Sequence, residues 1–209
     1  MPAPQIAAPF VLGAQIEARA EHPEVSGRTV LLKDDRSWTY KQYRDESVRM
    51  AHFLLGRLGK IDDARPGHVA MILENHPELM FLYGGCGYAG LSLFGVNTGL
   101  RGEVLAGVLN QSRARVLVVD QRFQEDVEKV RGQLKHVAAE NILYVRAGEG
   151  ALADLVGADA RLGPEAASLI APGVGVTMRT TRGGAGPRPV ADQMMRLESA
   201  IATWEREIP

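Results

Sequence analysis

Residues 67–120 decide the fold of this chain: GHVAMILENHPELMFLYGGCGYAGLSLFGVNTGLRGEVLAGVLNQSRARVLVVD. They contain three short apolar runs, His68–Leu73, Leu91–Val96 and Arg115–Val119. Runs of this length and composition are typical of parallel strands covered on both faces. A strand–helix–strand alternation of this spacing predicts an α/β fold, a parallel sheet flanked by helices with right-handed crossovers.

Two helical segments separate the runs. Residues 75–78 (Asn-His-Pro-Glu) suit a helix start, because Asn or His can cap free N–H groups, proline fits the first turn and the acid faces the positive end of the dipole. The second helix is predicted over Arg101–Asn110. Its apolar face is predicted to comprise Val104, Leu105, Val108 and Leu109.

The flanking segments extend this pattern. Phe10–Glu21 predicts a helix, and Thr29–Lys33 with Ser37–Tyr40 predicts a hairpin. Thr39 is predicted to cap the start of a longer helix, where it forms a capping box with Gln42 three residues later. The inner face of that helix, which Gly59 ends, is predicted to comprise Val48, Ala51, Leu54, Leu55 and Leu58.

Two further elements follow residue 120. Arg122–Leu134 predicts a charged amphipathic helix, with Phe123, Val127 and Val130 among its apolar positions, and Asn141–Val145 predicts another parallel strand. The predicted sheet therefore has four or five strands.

Composition limits the class of protein. The 209 residues are 45% hydrophobic and carry a net charge of −1, so a full core is expected and nothing indicates a nucleic-acid partner. The lone Cys86 excludes an internal disulfide, and no secretory signal is recognisable, so we expect a cytoplasmic protein and leave membrane association open. Leu79–Leu100 carries no charge but holds six glycines. It predicts a buried helix and strand, with no transmembrane segment.

The composition changes in the last part of the chain. We predict an α/β unit over residues 1–161, a Gly/Pro/Arg-rich linker over 162–189 that reads as loop or disorder, and an amphipathic helix over 190–209. The apolar positions of that helix are Val190, Met194, Leu197, Ile201, Trp204 and Ile208. We expect them to pack on the chain's own apolar surface; a protein partner is the alternative.

Residues 71–90 (MILENHPELMFLYGGCGYAG) and 93–120 (LFGVNTGLRGEVLAGVLNQSRARVLVVD) resemble the first half of the adenylate-forming acyl-CoA synthetases, the AMP-dependent synthetase and ligase superfamily. Gly95–Gly102 most resembles the long-chain and very-long-chain fatty-acid branch, including fatty-acid transport proteins. The resemblance runs from about Phe10 to Ala160. It implies the N-terminal subdomain of that fold, and a lineage that activates long-chain fatty acids to acyl-CoA with ATP, Mg²⁺ and CoA.

The resemblance does not extend to the reaction centre. The family's phosphate loop reads Ser/Thr-Ser-Gly-Thr-Thr-Gly-x-Pro-Lys, whereas Arg179–Arg188 has lost the Ser-Gly-Thr order and ends in arginine. The residues of this degenerate loop that could still contact phosphate are Thr180, Thr181, Gly183, Gly184, Gly186 and Arg188. The family's Mg²⁺, adenine, ribose and catalytic-lysine elements find no counterpart, so we expect a truncated synthetase without catalytic residues or cofactors of its own; whether it is an enzyme stays open.

Few other residues suggest a site. The five histidines show no metal-ligand spacing. Asn97 and Thr98, like Glu74 and Asn75, follow strands at the edge where open α/β sheets bind ligands, which makes Asn97 and Thr98 weak substrate-side candidates. Turn and cap roles explain all four equally well. The alternative function is a non-catalytic α/β module that pairs with another chain through its sheet or its C-terminal helix.

Overall fold

The computed structural model describes residues 12–145. The linker predicted over 162–189 and the helix predicted over 190–209 lie outside these residues. The elements in chain order are α1 Leu12–Glu21, β1 Thr29–Lys33, β2 Arg36–Thr39, α2 Tyr40–Leu58, β3 His68–Ile72, α3 Pro77–Ala89, β4 Ser92–Gly95, α4 Gly102–Ser112, β5 Val116–Asp120, α5 Gln124–Val130 and β6 Ile142–Val145.

The predicted parallel sheet is confirmed. Its order is β4-β3-β5-β6, and each neighbouring pair is parallel. β1 and β2 form a separate antiparallel hairpin. The predicted strands agree with the observed ones to within a residue or two at each end, which is the usual uncertainty of such boundaries.

The sheet separates two apolar cores. Successive side chains of a strand point to opposite faces, so Val69 and Met71 of β3 join one core while Ala70 and Ile72 join the other. The first core lies between the sheet and helices α1, α2 and α3. The second lies between the sheet and helices α4 and α5. Coverage on both faces explains why the strands are apolar throughout.

Helix α2 has the ends that its sequence predicts. Gln42 N donates to Thr39 Oγ1 at 3.2 Å, and Thr39 N donates to Gln42 Oε1 at 2.8 Å, which completes the capping box. Gly59 ends the helix with φ +59°, a conformation that disfavours side chains. Of the predicted inner face, only Leu55 is partly rather than fully buried.

Helix α3 uses its glycines to approach other helices. A Cβ on Gly84 would overlap Ser47 Oγ of α2, and one on Gly85 would lie 2.6 Å from Met50 Cγ. Gly87 faces Leu12 of α1 in the same way, at 3.1 Å. We predict from sequence that these glycines bring α3 close to the sheet; that detail is wrong, because their partners are helices.

Two further details of the prediction are wrong. Of the predicted apolar face of α4, Leu105 and Leu109 are buried in the second core as expected, but Val104 is 62% exposed. The segment predicted as one helix over Arg122–Leu134 is helical as far as Gln133, but regular α-helix covers only Gln124–Val130. The tighter 3₁₀ turns Gln121–Phe123 and Arg131–Gln133 precede and follow it. The Asn110 side chain donates to Gln133 O at 2.9 Å and accepts from Lys135 N at 2.8 Å, which gives those backbone groups partners outside a helix.

The uncharged segment Leu79–Leu100 folds as α3 and β4 rather than as one long helix. Among residues 12–145, no helix is both long and apolar enough to cross a membrane. Cys86 is fully buried in the first core, and this burial raises the pKa of its thiol.

Candidate functional site at the carboxyl edge of the sheet

The strand order creates a switch point between β3 and β5. The chain leaves β3 for β4 on one side, then returns across β3 to place β5 on the other. Open α/β sheets bind ligands outside the carboxyl ends of the strands where the order reverses in this way. The loops that follow β3 and β5 therefore flank the candidate ligand-binding position of this sheet.

Four side chains from these two loops join into one network, here called the switch-point cluster: Glu74, His76, Asp120 and Arg122. Asp120 is 1% exposed and closes β5. Its Oδ2 lies 3.2 Å from His76 Nε2 and accepts from Arg122 Nη2 at 2.5 Å. Arg122 Nη2 also lies 3.1 Å from Glu74 Oε2. The cluster thus connects the loop after β3 to the loop after β5.

Electrostatics keep Asp120 ionised. Burial alone would raise the pKa of Asp120, but hydrogen bonds from the Arg122 side chain, the Arg122 backbone and His76 outweigh it and lower the pKa to about 2. The same carboxylate, together with Glu74, raises the pKa of Arg122. Arg122 is thus shared between two carboxylates, the buried Asp120 and the half-exposed Glu74.

Two side chains of the cluster are accessible at the carboxyl edge of the sheet. The Arg122 side chain is 52% exposed and Glu74 is 51% exposed, whereas His76 is 11% exposed. Arg122 also lies over the Phe123 ring at 5.7 Å, and Arg101 lies 5.8 Å from the centroid of the same ring. Arg101 is in turn paired with Asp126 at 2.9 Å. The edge therefore presents a fixed, partly exposed guanidinium next to an aromatic ring.

Asn97 and Thr98, the substrate-side candidates from the sequence, lie at the carboxyl end of β4. Gly99 N donates to Asn97 Oδ1 at 2.7 Å, and Arg101 Nη1 donates to Thr98 O at 2.6 Å. Both contacts are turn interactions. A ligand role for these two residues stays a prediction. Glu74 belongs to the cluster, whereas its neighbour Asn75 is exposed.

Sequence reasoning did not single out His76, Asp120 or Arg122 as site residues. One signal was present: Asp120 ends an otherwise fully apolar strand, and a buried acid there needs partners. Those partners could not be identified from sequence, because His76 and Asp120 lie 44 positions apart in the chain and only the strand order brings them together. The degenerate loop Arg179–Arg188 lies outside the described residues.

Within residues 12–145, no group of three or more His, Cys, Asp or Glu side chains is arranged to hold a metal ion. Glu78, at the start of α3, is 4% exposed, and its Oε2 has no hydrogen-bond partner among the described residues. A carboxylate in the first turn is favoured by the helix dipole, which offsets part of its burial.

A sequence profile of AMP-binding enzymes matches residues 15–172. The chain belongs to the AMP-binding enzyme family. It corresponds to the N-terminal part of an AMP-dependent ligase, as the resemblance implies. The switch-point cluster lies within the matched residues.

Three curated relatives are similar in sequence to this chain. The Arabidopsis thaliana protein named "Probable acyl-activating enzyme 21" is 29% identical over 116 residues, which is 56% of this chain and 20% of the relative. The 4-hydroxybutyrate–CoA ligase 2 of Metallosphaera sedula is 27% identical over 52% of this chain and 19% of its own length. The steroid-22-oyl-CoA synthetase of Rhodococcus jostii is 31% identical over 41% of this chain and 15% of its own length. The matched part thus spans a fifth of these relatives or less.

Solved structures show the same fold. An anthranilate CoA ligase in complex with anthranoyl-AMP is 25% identical, with a TM-score of 0.58 over 70% of this chain and 27% of that chain. A Rhodopseudomonas palustris protein assigned as a long-chain-fatty-acid CoA ligase is 24% identical, with a TM-score of 0.61 over 77% of this chain and 39% of that chain. These matches confirm the predicted fold class, the N-terminal subdomain of the acyl-CoA ligases.

Proposed function

We propose that this chain derives from a ligase that activates long-chain fatty acids to acyl-CoA with ATP, Mg²⁺ and CoA. The observation that carries the proposal is the family match over residues 15–172, whose relatives and structural neighbours are ligases of CoA thioesters. The long-chain preference rests on Gly95–Gly102 (GVNTGLRG), which resembles the fatty-acid branch. The named relatives act on varied acids, so the acyl class is the finer part of the proposal.

In this proposal the described residues supply scaffold and part of the acyl-side wall. Asn97 and Thr98 stand at the carboxyl end of β4, and the switch-point cluster fixes the neighbouring loops. The chain itself holds no cofactor and does not form an adenylate. The support is Arg179–Arg188, where the small donors that cradle phosphates in the family are displaced and arginine replaces the terminal lysine.

The experiment is ATP–pyrophosphate exchange by the purified 209-residue protein, with Mg²⁺ and acids that include palmitate and benzoate. We expect no exchange above a boiled control, while an active long-chain acyl-CoA synthetase in the same assay shows that the reagents work. Acid-dependent exchange would refute the proposed inactivity. The Arg188→Ala variant would then test whether Arg179–Arg188 acts as the phosphate loop.

The preferred class of acid must be measured by binding, because a chain without activity gives no turnover to compare between acids. Titration calorimetry with the same protein compares palmitate with benzoate. Tighter binding of palmitate supports the long-chain lineage. Measurable binding of benzoate with none of palmitate would refute it and leave only the ligase family.

A second function, binding of another chain, is favoured by exposed apolar side chains on the β1–β2 hairpin. Leu32 is 71% exposed and Val30 is 36% exposed, whereas Leu31 between them packs against the first core. Size-exclusion chromatography of Leu32→Asp and Leu197→Asp, each against the unmodified protein, tests the hairpin and the predicted C-terminal helix. A monomer before and after both changes would argue against self-association through either surface.

A further inference from the structure

The edge of the sheet opposite the switch-point cluster carries a group of basic side chains. They surround the loop between α2 and β3, and we call them the basic rim. Its members are Arg57, Lys60, Arg65, Arg113 and Arg115.

Hydrogen bonds show that the rim is one surface. Arg115 Nη1 donates to Lys60 O at 3.1 Å and to Arg65 O at 3.2 Å, and its Nη2 donates to Leu58 O. Arg113 Nη2 donates to Ala64 O at 3.4 Å. Arg115 and Arg113, which precede β5, therefore lie against the loop that carries Lys60 and Arg65.

Arg57 extends the rim toward β6. Arg57 Nη1 donates to Glu140 O at 2.8 Å, just before that strand begins. The rim thus follows the amino-terminal edge of the sheet from the end of α2 to the start of β6.

Within residues 12–145, much of the positive charge on the rim is not cancelled. The hydrogen-bond acceptors of Arg57, Arg113 and Arg115 there are backbone carbonyls, which carry no net charge. One acid, Asp62, is shared between Lys60 at 3.4 Å and Arg65 at 2.9 Å. With the nearby Asp63 and Glu140 also counted, the bases still outnumber the acids.

An apolar side chain stands among these charges. Ile61 is 41% exposed. Its neighbours in the chain are Lys60, which is 72% exposed, and Asp62, the acid that pairs with Arg65. Arg65 itself is 50% exposed. One side of Ile61 faces Gly67, where an added Cβ would lie 3.3 Å from Ile61 Cδ1. The rest of the side chain is open to solvent.

We infer that the basic rim and Ile61 form a docking surface for anionic lipid bilayers. Lysine and arginine at a membrane surface are attracted by the negative potential of acidic lipids, and an exposed apolar side chain gains by entering the acyl boundary. Nucleic acid would be attracted by the charge but would gain nothing from the exposed Ile61. The inference does not depend on the proposed ligase activity, although long-chain fatty acids partition into the same bilayers.

The test is co-sedimentation of the full 209-residue protein with phosphatidylcholine vesicles, with and without phosphatidylserine. We expect binding only to the anionic vesicles, and weaker binding as salt is raised. The double variant Lys60→Gln/Arg113→Gln should bind anionic vesicles about 30-fold more weakly than the unmodified protein, because each base removed lowers the affinity about fivefold. Ile61→Ser should weaken binding without altering the charge.

The matched control is Lys41→Gln/Arg19→Gln. Both bases are exposed, and Lys41 lies at the start of α2, about 24 Å along the helix from Arg57. The control should bind like the unmodified protein. A second measurement is the fluorescence of Ile61→Trp, which should shift to the blue on anionic vesicles but not with inorganic phosphate.

Three outcomes would overturn the inference. They are an absence of sedimentation with anionic vesicles at low salt, equal binding to neutral vesicles, and equal losses in the rim and control variants. Far-ultraviolet circular dichroism of each variant shows whether any loss reflects unfolding instead.

Discussion

Gly84→Ala tests the contact that joins α2 to α3. The new methyl group would overlap Ser47 Oγ and lie 2.6 Å from Ser47 Cβ. Ser47 cannot move away easily, because it is fully buried and its hydroxyl donates to Tyr43 O at 2.7 Å. Overpacking of a core typically costs about 1 to 3 kcal/mol, and a contact this close belongs at the upper end. Alanine also improves helix propensity by about 1 kcal/mol, so we expect a net loss of about 2 kcal/mol.

The assay is urea unfolding followed by circular dichroism. Gly56→Ala is the matched control, because Gly56 lies in α2 with nothing within 4 Å of an added Cβ and should gain stability from propensity alone. The two substitutions are chemically identical, so their difference isolates the contact. Ser47→Gly in the Gly84→Ala background removes the obstructing atoms and should recover part of the loss.

The reasoning fails if Gly84→Ala is as stable as Gly56→Ala. That result would mean that α2 and α3 are farther apart in solution, and that the glycines of α3 are not needed for their packing. A loss that Ser47→Gly does not recover would place the strain elsewhere, for example at the Tyr43 hydroxyl, which is 3.3 Å from the added atom.

Three other predictions concern the ends of elements. Asp120→Asn should cost about 1 to 2 kcal/mol at neutral pH, after allowance for the half-exposed Arg122. Because the folded pKa of Asp120 is about 2, below the unfolded value of 3.8, the difference from the unmodified protein should persist above pH 4 and vanish toward pH 2 in urea titrations. Thr39→Ala removes the α2 cap and should cost about 1 kcal/mol by the same assay, whereas Thr39→Ser should cost little. Arg115→Gln frees the loop between α2 and β3 and should speed tryptic cleavage after Lys60 several-fold; unchanged cleavage would show that the three carbonyl contacts do not hold the loop.

The fold could be predicted because its elements are locally encoded. Thr39 and Gln42 specify the start of α2, and Gly90 ends α3 in the left-handed conformation that suits glycine. Strand interiors such as Val69–Ile72 show their burial in composition alone. These signals need no knowledge of distant residues.

The wrong predictions have a common physical cause: each depends on a contact with a residue that is distant in the sequence. Val104 satisfies the helical pattern, yet the face of α4 that meets the sheet is set by Leu105 and Leu109. The helical segment after β5 ends at Gln133, whose carbonyl accepts a hydrogen bond from the Asn110 side chain more than twenty residues earlier. The candidate site follows the same rule, because Asp120 and His76 become neighbours only through the order of the strands.

That strand order also has a consequence for synthesis of the chain. β3 is central in the sheet, but both of its neighbours are made after it. A nascent chain that has passed Gly95 can pair β3 with β4, while the other edge of β3 stays open until β5 emerges, about 1 to 5 seconds later at usual rates of translation. During that interval the open backbone groups of Val69–Ile72 are a template for any other strand, and α2 and α3 cover only one of the two faces beside them.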